Sequence, residues 1–337
     1  MGHGAPVAMV KFRPLPDKGT RTRRGVSSPI MPHAKARLTV IDTDPGIDDA
    51  IGILLALVSP EFSIAGITTV AGNIGIETTT RNAGRLLAFM ERDGIPVFRG
   101  AAAPLSRPGP EPLNLHGEDG IGGVALPEPT RLPESQPAVE WLAGVLLDRP
   151  SGTVDVLALG PLTNLAQLII DHPEAAKRIG RIIAMGGAIY ERGNVGPRSE
   201  FNLSADPEAA ATVVDAGLPL VLVPLDVTRR VRATREFAEA LSASGKPAAT
   251  MVGDLIEAYF ESSANQESRP LHDPCVMLYA LEPSLFRVEN LRLSVSTGST
   301  EGAGALSIDE AGAVVQVAMG VDAPAVLGLL AGRLAAS

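Results

Sequence analysis

Short apolar runs rich in β-branched residues alternate with longer helical patterns from residue 37 onward. The apolar runs are nearly continuous, as expected of strands buried on both faces. They span residues 37–42, 62–70, 95–98, 153–160, 181–187 and 218–224. The helical patterns lie at 48–58, 77–93, 137–148, 163–171 and 207–216. This alternation predicts an α/β fold in which helices flank an open, mostly parallel, Rossmann-like central sheet.

The remaining segments predict how the rest of the chain is organised. Residues 229–272 are mostly polar with a helical pattern, and the runs 291–297 and 311–319 predict a late β-hairpin. The Pro- and Gly-rich stretch 100–136 is typical of a long active-site loop. We therefore expect a single domain over residues 37–335. The basic, aperiodic residues 1–36 before it are expected to form a disordered tail, to which we assign no function.

The composition of the chain argues against several classes of partner and compartment. Net charge is −9 and aromatic residues make up 4% of the 337 residues, which argues against binding to nucleic acid. The single cysteine, Cys275, excludes an internal disulfide and fits a reducing compartment, so we expect a cytoplasmic protein. No apolar run approaches the roughly 20 residues of a membrane helix. We accordingly expect no membrane partner.

A cluster of aspartates directly follows the first predicted strand, in the stretch DTDPGIDDA. Its members are Asp42, Asp44, Asp48 and Asp49. A tight turn at Pro45-Gly46 would let the side chains before and after it converge on one point. Helix capping explains one or two aspartates at a first helical turn, but not four. Carboxylates this close together require a cation, a substrate, or both.

Other polar groups follow the ends of further predicted strands, where functional groups collect in parallel sheets. Asn73 ends TTVAGN, Leu159 precedes GPLTN, and His272 and Asp273 lie together in LHDP. Oxygen ligands from separate elements indicate a hard cation. Calcium takes 6–8 oxygens, whereas magnesium prefers fewer protein ligands. Zinc is disfavoured, since no Cys/His set has suitable spacing.

A second polar stretch, residues 193–210, contains Asn194, Glu200 and Asn202. Taken alone, it is equally well explained as a polar surface loop. Beside a calcium site, its amides and carboxylate suit a polyhydroxylated ligand such as a sugar. Among the histidines, His116 lies in the motif HGEDG, whereas His172 is best explained as an ordinary residue at the end of a helix.

These motifs together resemble the inosine–uridine-preferring nucleoside hydrolases, calcium-dependent enzymes that cleave the N-glycosidic bond of ribonucleosides. DTDPGIDDA is the signature of that family and is highly specific. It is followed, in the family's order, by TTVAGN, HGEDGIGG, LALGPLTNLA, MGG, SEFN…ADPEAA and LHDP. The resemblance covers about residues 37–335. It implies a purine or pyrimidine ribonucleoside as substrate and a homodimer or homotetramer as the assembly.

The resemblance also implies a role for each matching residue. The calcium ligands would be Asp44, Asp49, Asp273 and the backbone carbonyl of Leu159. Asp48 would be the general base that activates a calcium-bound water, and His272 the acid that protonates the departing base. Asn73, Met185, Asn194, Glu200 and Asn202 would contact the ribose, and His116 would lie on the base side of the pocket. The segment between Met185 and Asn194 is about one residue longer than in a compared member, so the pocket rim is expected to differ.

Two alternatives stay open from the residues themselves. One is a magnesium-dependent phosphohydrolase, in which LHDP would have no role. The other is a calcium-dependent sugar- or nucleoside-binding protein without turnover, although such a protein needs neither a base such as Asp48 nor an acid such as His272. The preferred nucleobase is not determined by the sequence. Tyr259 is equally suited to contact the base or to pack in the core.

Overall fold

The computed structural model describes residues 36–109, 116–261, 266–298 and 302–336. Within these ranges the strands are, in chain order, β1 (Arg37–Thr43), β2 (Phe62–Thr69), β3 (Val97–Arg99), β4 (Val154–Ala158), β5 (Ile179–Met185), β6 (Leu220–Val223), β7 (Arg232–Thr234), β8 (Ser268–Pro270), β9 (Phe286–Val295), β10 (Leu306–Ile308) and β11 (Ala313–Val321). Strands β7 and β8 form a small antiparallel sheet. The other nine form the central sheet of the described chain, in the order β10-β9-β11-β6-β5-β4-β1-β2-β3.

Helices cover both faces of the central sheet. In the same ranges they are α1 (Ile47–Leu57), α2 (Ile76–Phe89), α3 (Ala138–Asp148), α4 (Thr163–Asp171), α5 (Pro173–Ala176), α6 (Phe201–Ala205), α7 (Pro207–Asp215), α8 (Leu225–Thr228), α9 (Arg235–Ser242), α10 (Pro247–Glu261), α11 (Pro274–Leu281) and α12 (Ala323–Ala336). Every helix in the described ranges falls short of the length and apolarity that crossing a bilayer requires.

Continuous apolar strands form here because both faces of the sheet are buried. Successive side chains of a strand point to opposite faces, and in β1 Ile41 packs in one apolar cluster and Val40 in the other. In β6, Val221 and Leu222 divide between the same two clusters. Each such fully buried side chain stabilises the fold by about 1.5–3 kcal/mol.

The strand order places a crevice where a ligand site is expected. Strands β3, β2, β1, β4, β5 and β6 are adjacent and parallel, which is the doubly wound order 3-2-1-4-5-6. From β1 to β3 successive strands are added on one side of β1, and from β4 onward they are added on its other side. Ligands of such sheets bind at this switch point between β1 and β4, outside the carboxyl ends of the strands. The predicted open, mostly parallel sheet is confirmed.

The late hairpin is confirmed with one addition. β9 pairs antiparallel with β11, and Leu291 lies opposite Val315. Between them in sequence lies β10, which pairs with the other edge of β9 and was not predicted. The small β7–β8 sheet was also missed, because the sequence predicted only helix over 229–272. Residues Ala34–Ser337 form one compact unit. Residues 1–35 of the predicted tail lie outside the described residues.

Candidate active site

Asp44, directly after β1, lies in a narrow cleft between two glycines. Its Oδ2 accepts a hydrogen bond of 2.6 Å from the backbone N–H of Asn73. A Cβ atom built on Gly72 would lie 2.1 Å from Oδ2, and one built on Gly160 would lie 2.3 Å from Oδ1. The carboxylate therefore fits only because both neighbours lack a side chain. Oδ1 is buried and has no hydrogen-bond partner among the described residues.

Asp49, in the first turn of α1, is held by three donors. Its Oδ1 accepts from the Thr43 hydroxyl at 2.6 Å. Its Oδ2 accepts from the backbone N–H of Gly46 at 3.0 Å and from Nδ2 of Asn73 at 3.1 Å. Asn73 thus bridges Asp44 and Asp49. The three contacts fix the Asp49 carboxylate at the carboxyl end of β1.

Carboxylates from the first turn of α1 and from the residue before α11 meet beside this end of the sheet. One oxygen from each of Asp48, Asp49 and Asp273 lies within 4.8 Å of the other two, and all three residues are buried. Burial, followed by the charges of neighbouring carboxylates, raises the pKa of Asp49 and raises that of Asp44 and Asp273 well above the ordinary value. Burial also raises the pKa of Asp48. Like charges held this close destabilise one another unless a cation is bound.

These donors fit a hard divalent cation. All of the side-chain donors are carboxylate oxygens, the ligands that calcium and magnesium take, and the partnerless Oδ1 of Asp44 is a further buried acceptor. The carbonyl of Leu159 already accepts a 2.6 Å hydrogen bond from Nδ2 of Asn202, and its second lone pair is available to another partner. The three carboxylates that lie within 4.8 Å of one another include Asp48, the predicted base, and not Asp44, a predicted ligand. Distances between carboxylates alone therefore do not show which aspartate is the base and which are metal ligands.

A cavity of about 790 Å³ opens above the carboxylates, a volume typical of a small-molecule site. It brings together ten of the twelve residues predicted for the site: Asp48, Asn73, His116, Leu159, Met185, Asn194, Glu200, Asn202, His272 and Asp273. The remaining two, Asp44 and Asp49, are fully buried and do not line the cavity. Residues far apart in sequence therefore form one site.

Glu200 and its neighbours form one wall of the cavity. Glu200 caps the short helix α6, and its carboxylate accepts from the backbone N–H groups of Gly187, Asn202 and Leu203 at 2.9–3.2 Å. Burial nevertheless raises its pKa. Asn194 accepts from the N–H of Phe201 at 2.9 Å. These contacts hold the polar wall in place rather than leaving it as a solvated loop.

His116 and Tyr259 also contribute to the cavity lining. Nδ1 of His116 accepts a 3.0 Å hydrogen bond from the backbone N–H of Ile47, so the proton of the neutral ring is on Nε2. Burial lowers the pKa of this imidazole. The ring of Tyr259 lies 6.2 Å from that of His116 and 3.8 Å from the guanidinium of Arg269. Tyr259 is buried and also lines the cavity. It therefore packs in the core and faces the cavity, the two alternatives that the sequence left open.

His272 is fixed by α8. Its Nδ1 forms a hydrogen bond of 2.8 Å with the Thr228 hydroxyl. Burial, and then the charges of Arg229, Arg232 and Arg269, lower the pKa of His272 to about 3. The imidazole is therefore uncharged at neutral pH in the free protein. Its role as leaving-group acid stays a prediction.

Sequence reasoning missed the arginines of the cavity. Arg229, Arg232 and Arg269 line it beside His272. The signal for the first two was available, because DVTRRVR follows the carboxyl end of β6, the same kind of position that identified the aspartates. Arg269 had no such signal, since β8 is only three residues long.

Comparisons with known proteins agree with this geometry. A family model described as inosine-uridine preferring nucleoside hydrolase matches residues 39–328. The pyrimidine-specific ribonucleoside hydrolase RihA of Citrobacter koseri is 42% identical over 262 residues, 77% of this chain and 83% of that protein. RihA of Escherichia coli O8 is 41% identical over 274 residues, 80% of this chain and 88% of that protein.

Solved structures agree as well. The plant nucleoside hydrolase PpNRh1 superimposes with a TM-score of 0.85 at 33% identity, covering 89% of this chain and 99% of that one. A purine-preferring ribonucleoside hydrolase from Gardnerella vaginalis gives a TM-score of 0.83 at 29% identity, covering 89% and 98%. The chain therefore belongs to the inosine–uridine preferring nucleoside hydrolase family, and it is an enzyme that hydrolyses the N-glycosidic bond of ribonucleosides.

Proposed function

We propose that the enzyme is calcium-dependent, with Asp44, Asp49, Asp273 and the carbonyl of Leu159 as ligands. The observation that carries the proposal is the buried Oδ1 of Asp44, which has no hydrogen-bond partner among the described residues and lies at a site where further carboxylates converge. Calcium bound there would offset the repulsion between the carboxylates, hold hydroxyl groups and make a water molecule in the site more acidic.

Asp48 is the proposed general base. It lines the cavity, whereas Asp44 and Asp49 lie beneath it, so its carboxylate faces the space that an attacking water would occupy. Burial raises the pKa of Asp48, which moves it towards the neutral range where a general base works best. Asp48 takes the proton from the water as the oxygen attacks C1′ of the ribose.

The polar wall is proposed to bind and orient the ribose. Met185, Asn194, Glu200 and Asn202 contact the sugar together with Asn73, which places C1′ towards the attacking water. As the glycosidic bond breaks, positive charge develops on the sugar ring, as in glycoside hydrolysis generally. The buried carboxylates of the site stabilise that charge.

The part of the cavity lined by His116, Tyr259 and His272 is proposed to receive the nucleobase. His272 is placed to protonate the departing base, and His116 lies on the base side with its Nε2–H as a donor. Pyrimidine ribonucleosides are the proposed preferred substrates. Support comes from the RihA relatives, which are named pyrimidine-specific and are 41–42% identical to this chain, against 29% for the purine-preferring Gardnerella enzyme.

A cytoplasmic homodimer or homotetramer is part of the same proposal. The buried thiol of Cys275 suits a reducing compartment, and the family resemblance supports the assembly. Light scattering of the purified protein tests the assembly, and a monomer at micromolar concentration would contradict it. Fractionation of the native cell tests the compartment.

A nucleoside panel tests the proposed cofactor and substrate. Reducing sugar released from uridine, cytidine, inosine and guanosine is measured before and after chelation, and then after calcium or magnesium is added back. We expect uridine or cytidine to be cleaved fastest, chelation to abolish turnover, and calcium to restore it. Activity that survives complete removal of metal, confirmed by elemental analysis, contradicts the cofactor. Faster cleavage of both purines contradicts the pyrimidine preference.

A further inference from the structure

Three arginines form a cationic rim at one side of the cavity. Arg229 follows α8, Arg232 begins β7 and Arg269 lies in β8. All three line the cavity together with His272 and Tyr259. The small β7–β8 sheet is thus the element that brings two of the arginines, 37 positions apart in sequence, to the same opening.

Two of the rim arginines are held in place by contacts within the fold. Arg229 donates to the carboxylate of Glu191 at 3.2 Å, to the carbonyl of Arg192 at 2.6 Å and to that of Gly193 at 2.9 Å. Its charge is therefore partly neutralised by Glu191. The guanidinium of Arg269 lies over the ring of Tyr259 at 3.8 Å and is almost fully buried. Both side chains keep a fixed position beside the base side of the cavity.

Arg232 has a different environment. Its Nε donates to the hydroxyl of Ser268 at 2.7 Å and its second terminal nitrogen donates to the Ser268 carbonyl at 2.5 Å. Both partners are uncharged, and within the described ranges Arg232 forms no ion pair. Burial, and then the charges of Arg269 and Arg229, lower its pKa. The exposed Glu267 is the carboxylate at the mouth beside the rim.

The cavity lining therefore carries charge of both signs: the carboxylates of Asp48, Glu200 and Asp273, and the three arginines of the rim. The charges of these arginines act on His272, which the proposed function places against the base. A cation that is partly buried among like charges gains most from a negative group brought close to it, because the local dielectric is low. Negative charge appears on the base side when the glycosidic bond breaks and the base keeps both electrons.

We propose that the cationic rim, and Arg232 above all, stabilises the negative charge that develops on the departing nucleobase before His272 protonates it, so that the enzyme favours nucleosides in which such charge develops. This inference deepens the proposed function and rests on its placement of the base. Uridine belongs to the favoured class, because the two carbonyl groups of uracil delocalise the charge left on its ring nitrogen. The developing charge is then stabilised by fixed positive groups, as in oxyanion-type catalysis.

The step balances as a hydrolysis. The bond between C1′ and the ring nitrogen breaks, and its electron pair goes to the nitrogen. The water oxygen forms the new bond to C1′, and its proton goes to Asp48. His272 gives its proton to the departing base and later regains, by way of solvent, the proton that Asp48 took from the water, so that nucleoside and water give ribose and neutral base. No oxidant or other reactant is required.

The test compares two substrates that differ in the charge that develops on the departing base. Negative charge develops on the base of uridine as the bond breaks, whereas 3-methylcytidine, which carries a positive charge, releases a neutral base without developing negative charge. In Arg232→Gln, we expect kcat/KM for uridine to fall about 10- to 100-fold, the range for loss of a charged hydrogen bond. Turnover of 3-methylcytidine should be unchanged or higher. Arg232→Lys should keep most of the uridine activity, because it keeps the charge.

Arg230→Gln is the matched control, since this neighbouring arginine is exposed and does not line the cavity; its uridine activity should equal that of the wild type. Equal losses of Arg232→Gln on both substrates would assign Arg232 a structural role and overturn the proposal. So would an equal loss in Arg230→Gln. If the nucleoside panel shows a purine preference, the proposed base is wrong, and inosine and 7-methylinosine replace the pair with the same expected split.

Discussion

Replacing Gly72 with alanine is expected to displace the Asp44 carboxylate without unfolding the protein. The new Cβ would lie 2.1 Å from Oδ2 of Asp44, 1.3 Å inside the 3.4 Å limit of ordinary contact. The backbone of Gly160 leaves the carboxylate little room to retreat, because even the position of a Cβ built on that residue lies only 2.3 Å from Oδ1. A catalytic group misplaced by about 1 Å costs about 10²-fold in rate, so we expect that loss in kcat/KM for uridine.

Gly75→Ala is the control in the same loop, because a Cβ built there meets nothing within 4 Å. Calcium titration by calorimetry should show weaker binding in Gly72→Ala and unchanged binding in Gly75→Ala. Overpacking of this kind costs about 1–3 kcal/mol in unfolding free energy, so thermal melting should still show a folded protein. Wild-type calcium affinity and turnover in Gly72→Ala would refute the view that Asp44 is a ligand positioned by its glycine neighbours.

Three further predictions concern individual side chains. Asp48→Asn should lower turnover by roughly 10²–10⁴ while calorimetry shows calcium binding unchanged; loss of calcium would make Asp48 a ligand. His272→Ala should slow uridine hydrolysis strongly but spare p-nitrophenyl riboside, whose leaving group needs no proton, and equal kcat losses would remove the acid role. Burial raises the pKa of Asp42 to about 6 from 3.8, so its contribution to stability is lost as the pH rises through 6. In chelator, urea denaturation should therefore show Asp42→Asn gaining about 3 kcal/mol over the wild type between about pH 4 and pH 8, and a constant difference would contradict this.

The parallel sheet was predictable from sequence because its strands are buried on both faces. A run such as LVLV in β6 has no polar alternation to confuse it with an amphipathic strand. The position of Asp44 followed from the same reasoning, since residues after parallel strands meet at one edge of the sheet. Ten predicted residues line one cavity, although His116, Met185 and the polar stretch from Asn194 to Asn202 were assigned to the site by the family resemblance and not by strand ends.

Short strands and contacts between distant segments were not predictable. β7 and β8 have three residues each and contain arginine and proline, so no periodicity marks them. The neighbours of Arg232 depend on the pairing of these two strands. Only the family resemblance divided the roles of Asp44 and Asp48, because the two residues flank the same turn and only tertiary packing decides which one faces the cavity.

The insertion of β11 between β6 and β9 delays completion of the sheet during synthesis. β6 pairs with β5 and β11, so one of its edges stays open until β11 has left the ribosome. About 90 residues separate the two strands, and at roughly 5–20 residues per second they take about 5–20 s to be made. An apolar strand edge that is open for this long can pair with other chains. Aggregation during overexpression is therefore expected to come from nascent chains, and slower translation or chaperone supply should relieve it, whereas added calcium should not.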